Sequence, residues 1–245
     1  MTKRTLAGAL VAALLLLAPV SLYAAPQDFK LAVDGVGSVS APLQIVIVLT
    51  LLSFLPAVLM IMTSFTRIVI VFHFLRQAMG TQEMPPNQVL VGLTLFLTVF
   101  VMAPVADRIN EQAIQPAIAG KVSVGDAIVL ATPPLRDFML KQTRQKDLAL
   151  FVELSGSPRP SKPSDLSMRV VVPAYAISEL KTGFQMGFFV FVPFLLIDLV
   201  VSTTLLSMGM MQLPPAMISL PFKLLLFVMV DGWNLIVSSL VRSFA

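Results

Sequence analysis

The stretch Phe184–Met211, FQMGFFVFVPFLLIDLVVSTTLLSMGMM, constrains this chain more than any other. It exceeds the roughly 20 apolar residues that a helix needs to cross a bilayer. Gln212, Leu213 and the pair Pro214–Pro215 close it with a forced turn. One carboxylate, Asp198, stands in the middle of the apolar run, where a charge is costly and marks a functional site by default. Met208, Met210 and Met211 crowd its end, and their flexible, polarisable side chains suit a surface that adapts to varied partners. These features together point to a subunit of a protein-conducting channel, with this stretch nearest the pore.

Composition agrees with an apolar setting. Hydrophobic residues make up 57% of the 245 and charged residues only 12%, against about a quarter charged in soluble domains. Mean hydropathy is +0.89. The absence of cysteine rules out a disulfide framework, a thiolate metal site and a cysteine nucleophile. With one histidine, His73, a multi-histidine metal site within one chain is excluded, and its apolar context (IVFHFL) suits packing rather than ligation. The net charge of +4 is spread out, without a basic cluster that nucleic acid would require.

Along the chain, residues 1–25 read as a secretory signal: Lys3 and Arg4, then the short apolar Leu6–Ala18, then the small residues Ala24–Ala25. The alternative is an uncleaved first membrane helix. Either way the mature N-terminal end lies outside the cytoplasm. Residues 26–42 form a polar, periplasmic lead-in. The segment 43–106 reads as a first apolar helical hairpin: Leu43–Met62 with Pro56 as a kink, apolar character resuming over Ile68–Leu75, and a turn at Arg76–Asn87. In that turn Gly80 can end one helix and Pro85–Pro86 can begin the next. The second helix, Gln88–Ala106, is expected to stop near Pro104.

Residues 107–183 are hydrophilic, with ten Lys/Arg against eight Asp/Glu. Pro134–Leu154 has amphipathic helical spacing, with Leu135, Phe138, Met139, Gln142, Gln145, Leu148 and Phe151–Val152 tending to one side. Ordinary core is the commoner use of such a stripe, but the segment is small, so Phe138 and Phe151 are candidates for subunit contacts. Residues 155–165 (SGSPRPSKPSD) read as a flexible loop. The segment 184–245 is a second apolar hairpin with the methionine loop at its turn, its last helix being Met217–Val241. If all four apolar helices span, the loop at 76–87 is cytoplasmic and 107–183 is periplasmic. The fold class is thus all-α and membrane-type: long kinked helices arranged as hairpins, with a small helical hydrophilic middle.

Asp198 and Asp231 lie about sixteen residues either side of the proline turn, so straight antiparallel arms would bring them to a similar depth at ~1.5 Å per residue. Two buried carboxylates at close range share a proton or find cations. The cations available are Lys223, Arg67, Arg144 and Lys181. Glu179 and Lys223 are expected to join ion pairs across subunits and fix register, the alternative being that these charges snorkel to polar regions. Gly183 and Gly187 form a small-xxx-small spacing that permits close helix contact, here taken between subunits. Met208, Met210 and Met211, if the chain is irregular near Gly209, could converge in a ring as a deformable apolar gasket, closed to ions yet able to part for a polypeptide. Gap-filling core is the other use of such residues. No G-x-S-x-G elbow, H-E-x-x-H, phosphate loop or metal spacing is present. No cofactor is expected. A proton-coupled small-solute transporter with Asp198 and Asp231 as relay is a second reading; an intramembrane enzyme lacks its catalytic spacings.

The segment TSFTRIVIVFHFLRQAMGTQEMPPNQVLVGLTLFLTVFVMAP at 63–104 resembles the FliP family, an export-gate subunit of the flagellar type III secretion apparatus. So do PAYAISELKTGFQMGF at 173–188 and PFLLIDLVVSTTLLSMGMMQLPP at 193–215. The resemblance covers nearly everything from residue 43 onward. Injectisome secretion proteins are close relatives, and the signal and length favour the flagellar branch. The resemblance implies a bacterial inner-membrane protein that forms a pentamer with itself. The FliQ and FliR proteins and other export-apparatus subunits join it, and unfolded flagellar substrates pass through. It also implies the gasket at Met208, Met210 and Met211, and much apolar surface buried in protein above the membrane. Gln212 stands where the family usually has a further methionine.

Overall fold

Proline, glycine and serine punctuation divides the apolar chain into helices of unequal length. The computed structural model describes residues 41–81, 84–156, 165–210 and 212–245. The expected signal (1–25) and nearly all of the lead-in (26–42) lie outside the described residues, as does most of the 155–165 loop. All regular structure among the described residues is helical: α1 (Ala41–Met62), α2 (Phe65–Met79), α3 (Asn87–Ile109), α4 (Gln115–Ile118), α5 (Val124–Gln142), α6 (Gln145–Leu154), α7 (Met168–Ser207), α8 (Pro215–Met229) and α9 (Gly232–Arg242). The all-α membrane-type class holds. Among the described residues two helical stretches, Asn87–Ile118 and Met168–Ser207, are long and apolar enough to cross a membrane. The count rises to four if each of two bent pairs acts as one span.

Several boundaries reflect local chemistry. Gly80 ends α2 in the left-handed conformation, φ 72°, which glycine adopts without a Cβ penalty. Pro86 then caps α3, as the turn at 76–87 suggests. The Ser123 hydroxyl accepts from the Asp126 N–H at 3.1 Å and so starts α5. Pro56 stays inside α1; the sharp turn comes six residues later, where the Pro56–Met62 segment meets α2 at 81°.

Three boundaries differ from expectation. Pro104 does not stop its helix: α3 runs on to Ile109, and a π turn (Asn110–Ile114) and α4 carry the same rod to Ile118. A proline removes one donor and crowds one carbonyl, which kinks a long helix rather than ending it when the next residues stay helical. The amphipathic stretch 134–154 is two helices, because Arg144 is extended and caps α6. Its N–H donates at 3.1 Å to the Ser178 hydroxyl, which donates in turn to Asp147 at 2.7 Å. The last apolar helix is broken as well. Asp231 adopts φ 50°, and α8 and α9 meet at 63°. The corner is tight: a Cβ on Gly232 would come within 2.3 Å of the Phe227 ring.

Within the unit Ile45–Ala245, α2 packs along α7 as the central pair. One core joins Ile68, Phe72 and Leu75 of α2 to Phe194, Phe227, Ile236 and Leu240 of α7, α8 and α9. A second gathers Met139 of α5 with Val171 and Tyr175 of α7, and α6 leans on it through Leu148, Phe151 and Val152. Outside these cores much apolar surface is uncovered. Phe96, Val99 and Phe100 on α3 are exposed, as are Phe184, Phe188 and Phe189 on α7. A soluble monomer rarely leaves contiguous patches of this kind open.

Candidate functional site

The methionine loop is the tip of the α7–α8 hairpin. Helix α7 ends in a Schellman motif: the Met210 N–H donates to the Leu205 carbonyl at 3.0 Å, and the Gly209 N–H to Leu206 at 3.1 Å. Gly209 has φ 74°, so the irregularity on which convergence of the methionines depends is present. Met208 and Met210 are exposed, 65% and 45%, with their thioethers outside both cores. Met211 lies outside the described residues. Gln212, Leu213 and Pro214 then lead to Pro215 at the first turn of α8, where its missing N–H costs nothing.

Below the tip the buried charges find partners, and they find them within the chain. Asp198 accepts from Lys223 Nζ at 2.6 Å and from the Ser219 hydroxyl at 2.5 Å. Lys223 is buried, while the Asp198 side chain keeps 37% of its surface open. Glu179 is fully buried and takes both its bonds from Arg67: Nε reaches Oε2 at 3.0 Å, and Nη2 pairs with Oε1. Within one chain, then, Glu179 pairs with Arg67 and Lys223 with Asp198. The helix pairs α2/α7 and α7/α8 place each cation opposite a carboxylate.

Arg67 is a hub rather than a simple partner. Its Nη1 donates at 2.9 Å to both the carbonyl and the hydroxyl of Ser243, and its Nη2 also reaches Gln142 Oε1 at 3.2 Å. Every N–H of a guanidinium, five in all, thereby has an acceptor. The Phe244 ring lies under the guanidinium, 3.9 Å from its carbon to the ring centroid. Gln142 completes the ring of contacts by donating to the Phe244 carbonyl at 3.0 Å. Four elements, α2, α5, α7 and the tail after α9, meet on one side chain. Nearby, the Tyr175 hydroxyl donates at 2.9 Å to the Thr63 carbonyl, holding the sharp turn between α1 and α2.

The remaining expected residues take other positions. Asp231 does not face Asp198 across straight arms; it sits exposed at the α8–α9 corner, so no carboxylate relay of the expected form is built. Arg144 pairs through Nη2 with Gln185, an amide rather than a carboxylate. Phe138 and Phe151, expected at subunit contacts, turn inward. Phe138 packs against Tyr175 and Phe244, with ring centroids 6.1 and 6.4 Å away. Gly183 and Gly187 do admit a close helix, but it is α2 of the same chain: their missing Cβ atoms leave room for Ile70 and Phe74. His73 is exposed and lines a small surface cleft with Arg76, Gln77 and Phe191.

Ser219, Tyr175, Ser243 and Phe244 went unmarked in the sequence. Ser219 and Tyr175 each stand four residues before a charge, Lys223 and Glu179, and so share its helix face. That spacing was a usable signal. The docking of Ser243 and Phe244 had none, because it depends on where α9 ends in space. Among the described residues no three His, Asp or Glu side chains gather as a metal site would require.

Long apolar helices, charges neutralised in pairs inside the fold and wide apolar outer faces define an integral helical membrane protein. Comparison with known families narrows the class: the model of the FliP family matches residues 48–240. The flagellar biosynthetic protein FliP of Bacillus subtilis is 55% identical over 84% of this chain and 94% of its own length. That of Pectobacterium carotovorum is 54% identical over 86% and 82%, and that of Aquifex aeolicus 46% over 86% and 89%. The chain belongs to the FliP family.

Proposed function

We propose that this chain is a non-enzymatic subunit of the flagellar protein export gate. Its copies form a ring, a pentamer by family resemblance, that associates with FliQ and FliR and conducts unfolded flagellar substrates out of the cytoplasm. It resides in the bacterial inner membrane or within the flagellar basal body. In this reading residues 1–25 are the signal, 107–183 face the periplasm, and the hairpins 43–106 and 184–245 build the channel wall. Family membership and the relatives' common name, flagellar biosynthetic protein, support the flagellar setting. The open apolar faces of α3 and α7 support assembly, since such faces need lipid or protein cover.

One observation carries the gate itself: Met208 and Met210 stand exposed at a hairpin tip closed by a left-handed glycine. Repeated around an axis, with Met211 beside them, such tips make an apolar collar that excludes ions and yields to a passing polypeptide. The energy for transit comes from other components, as the sequence holds no phosphate loop. Replacing Met208, Met210 and Met211 together by alanine tests the reading in membranes bearing the assembled complex. The expected result is normal assembly with ion leak; an intact seal would contradict it.

A further inference from the structure

Asp231 is exposed at the α8–α9 corner, and among the described residues its carboxylate has no partner. The surface before it is apolar: Val228, Met229 and Val230 are all exposed. Cover laid over that patch would strand the carboxylate unless a cation or hydrogen-bond donors came with it. His73 is the converse case. It is exposed, has no partner among the described residues, and lines a surface cleft with Arg76, Gln77, Gly80, Thr81 and Phe191. Imidazole, guanidinium and amide make that cleft a donor site, and the Phe191 ring gives it an apolar wall. A carboxylate flanked by apolar side chains is its complement in charge and in polarity.

The two features lie at one height. Phe72, next to His73, meets Trp233, two residues past Asp231, with ring centroids 6.5 Å apart. On α7 adjacent residues reach both: Val190 lines an apolar groove with Gly232, and Phe191 borders the His73 cleft. They nevertheless open on different sides of the α2–α7 pair. Ile68, Phe72 and Leu75 form the α2 face that shares a core with α8 and α9. His73, one residue on from Phe72, is turned away from that face by about 100°.

The geometry points to a contact between copies of this chain in which Asp231 of one copy enters the His73 cleft of the next. The contact rests on the ring reading. A ring joins two different faces of one chain, head to tail. When its axis runs along the helices, rotation leaves height unchanged, so only residues of equal height can meet. Asp231 and His73 satisfy both conditions and carry complementary chemistry. Their pairing lets the Val228–Val230 patch be covered without stranding a charge.

The chain has no cysteine, so His73→Cys and Asp231→Cys placed together in one chain report the contact directly. In assembled complexes, oxidation is expected to link neighbouring copies into a ladder of oligomers, and neither single variant is expected to give one. His73→Glu sets two carboxylates against each other and is expected to lower the yield of rings about tenfold or more, counted by native mass spectrometry. Asp231→Asn, which keeps a residue that tolerates the left-handed backbone, is expected to restore that yield when added to His73→Glu. If the parent forms no ring, the ring reading fails and the contact with it. Where parent rings are intact, the contact alone is overturned by any of three results: no linked oligomers, a His73→Glu yield equal to the parent's, or a defect that Asp231→Asn leaves unchanged. Intact His73→Glu rings that have lost a bound anionic phospholipid would assign the cleft to a lipid headgroup instead.

Discussion

Arg67 and Glu179 lie 112 positions apart in sequence and share two bonds inside the protein, where Glu179 has no exposed surface and Arg67 has 2%. The guanidinium also holds Ser243, Gln142 and the Phe244 ring. Burying a charge pair is not by itself stabilising, but removing one member strands the other.

Glu179→Gln therefore leaves Arg67 without its counter-charge at unchanged volume. The expected loss is about 3–5 kcal/mol, seen as a lowered unfolding midpoint of the detergent-solubilised chain. Exchanging the charges, Arg67→Glu with Glu179→Arg, is not expected to restore it. Only a guanidinium at position 67 reaches Ser243, Gln142 and Glu179 together. Full recovery in the exchange variant would show that the pair matters and the hub does not.

Gly187→Ala and Gly183→Ala should separate in severity. A methyl at Gly187 would meet the Phe74 ring at 2.5 Å, against 3.2 Å from Ile70 at Gly183. The first forces α2 and α7 apart, at about 1–3 kcal/mol; the second needs a shift of a few tenths of an ångström. Thermal unfolding of the two variants side by side decides it, and equal effects would argue against close α2–α7 contact there.

Trp233, the one tryptophan in the chain, makes the α8–α9 corner visible. Its ring stands edge-on to Phe227 with centroids 5.4 Å apart, and the Phe227 ring fills the space that a Cβ on Gly232 would take. Gly232→Ala is expected to displace Phe227 and shift the Trp233 emission. An unchanged spectrum with unchanged stability would mean that the corner is not packed this way.

Phe244→Leu keeps an apolar side chain over Arg67 and removes the ring. The cation–π contact is worth about 2 kcal/mol when desolvated, so a loss of that order in unfolding free energy is expected. Phe244→Tyr, which retains the ring face, should recover most of it.

How much of this was legible differs residue by residue. The turn at Gly80 and Pro86 was, because each acts through its own backbone. Pro104 misled, since a proline inside a long helix ends it or merely kinks it according to the packing of the next turns. Asp231 misled more. Read as a buried carboxylate in a straight helix, it is the corner residue of a break; the pair Asp231–Gly232, whose first member tolerates αL, was the signal passed over inside the apolar run. Charges that must be neutralised were visible, including Arg67 and Lys223 as the available cations, but the pairing was not. It depends on α2 crossing α7 at Gly183 and Gly187. Phe138 and Phe151 face inward for the same reason: α7 reaches back to Met168 and gives the middle helices a wall to pack on.

If Met208 and Met210 form the gate, substrates must pass the methionine tip on their way out. Photoreactive amino acids placed singly at Met208, Met210 and, as an inward-facing control, Phe138 test this in complexes holding a substrate arrested in transit. Substrate adducts are expected from positions 208 and 210 and none from 138. Adducts absent from both tip positions, in complexes shown to hold the substrate, would contradict the gate.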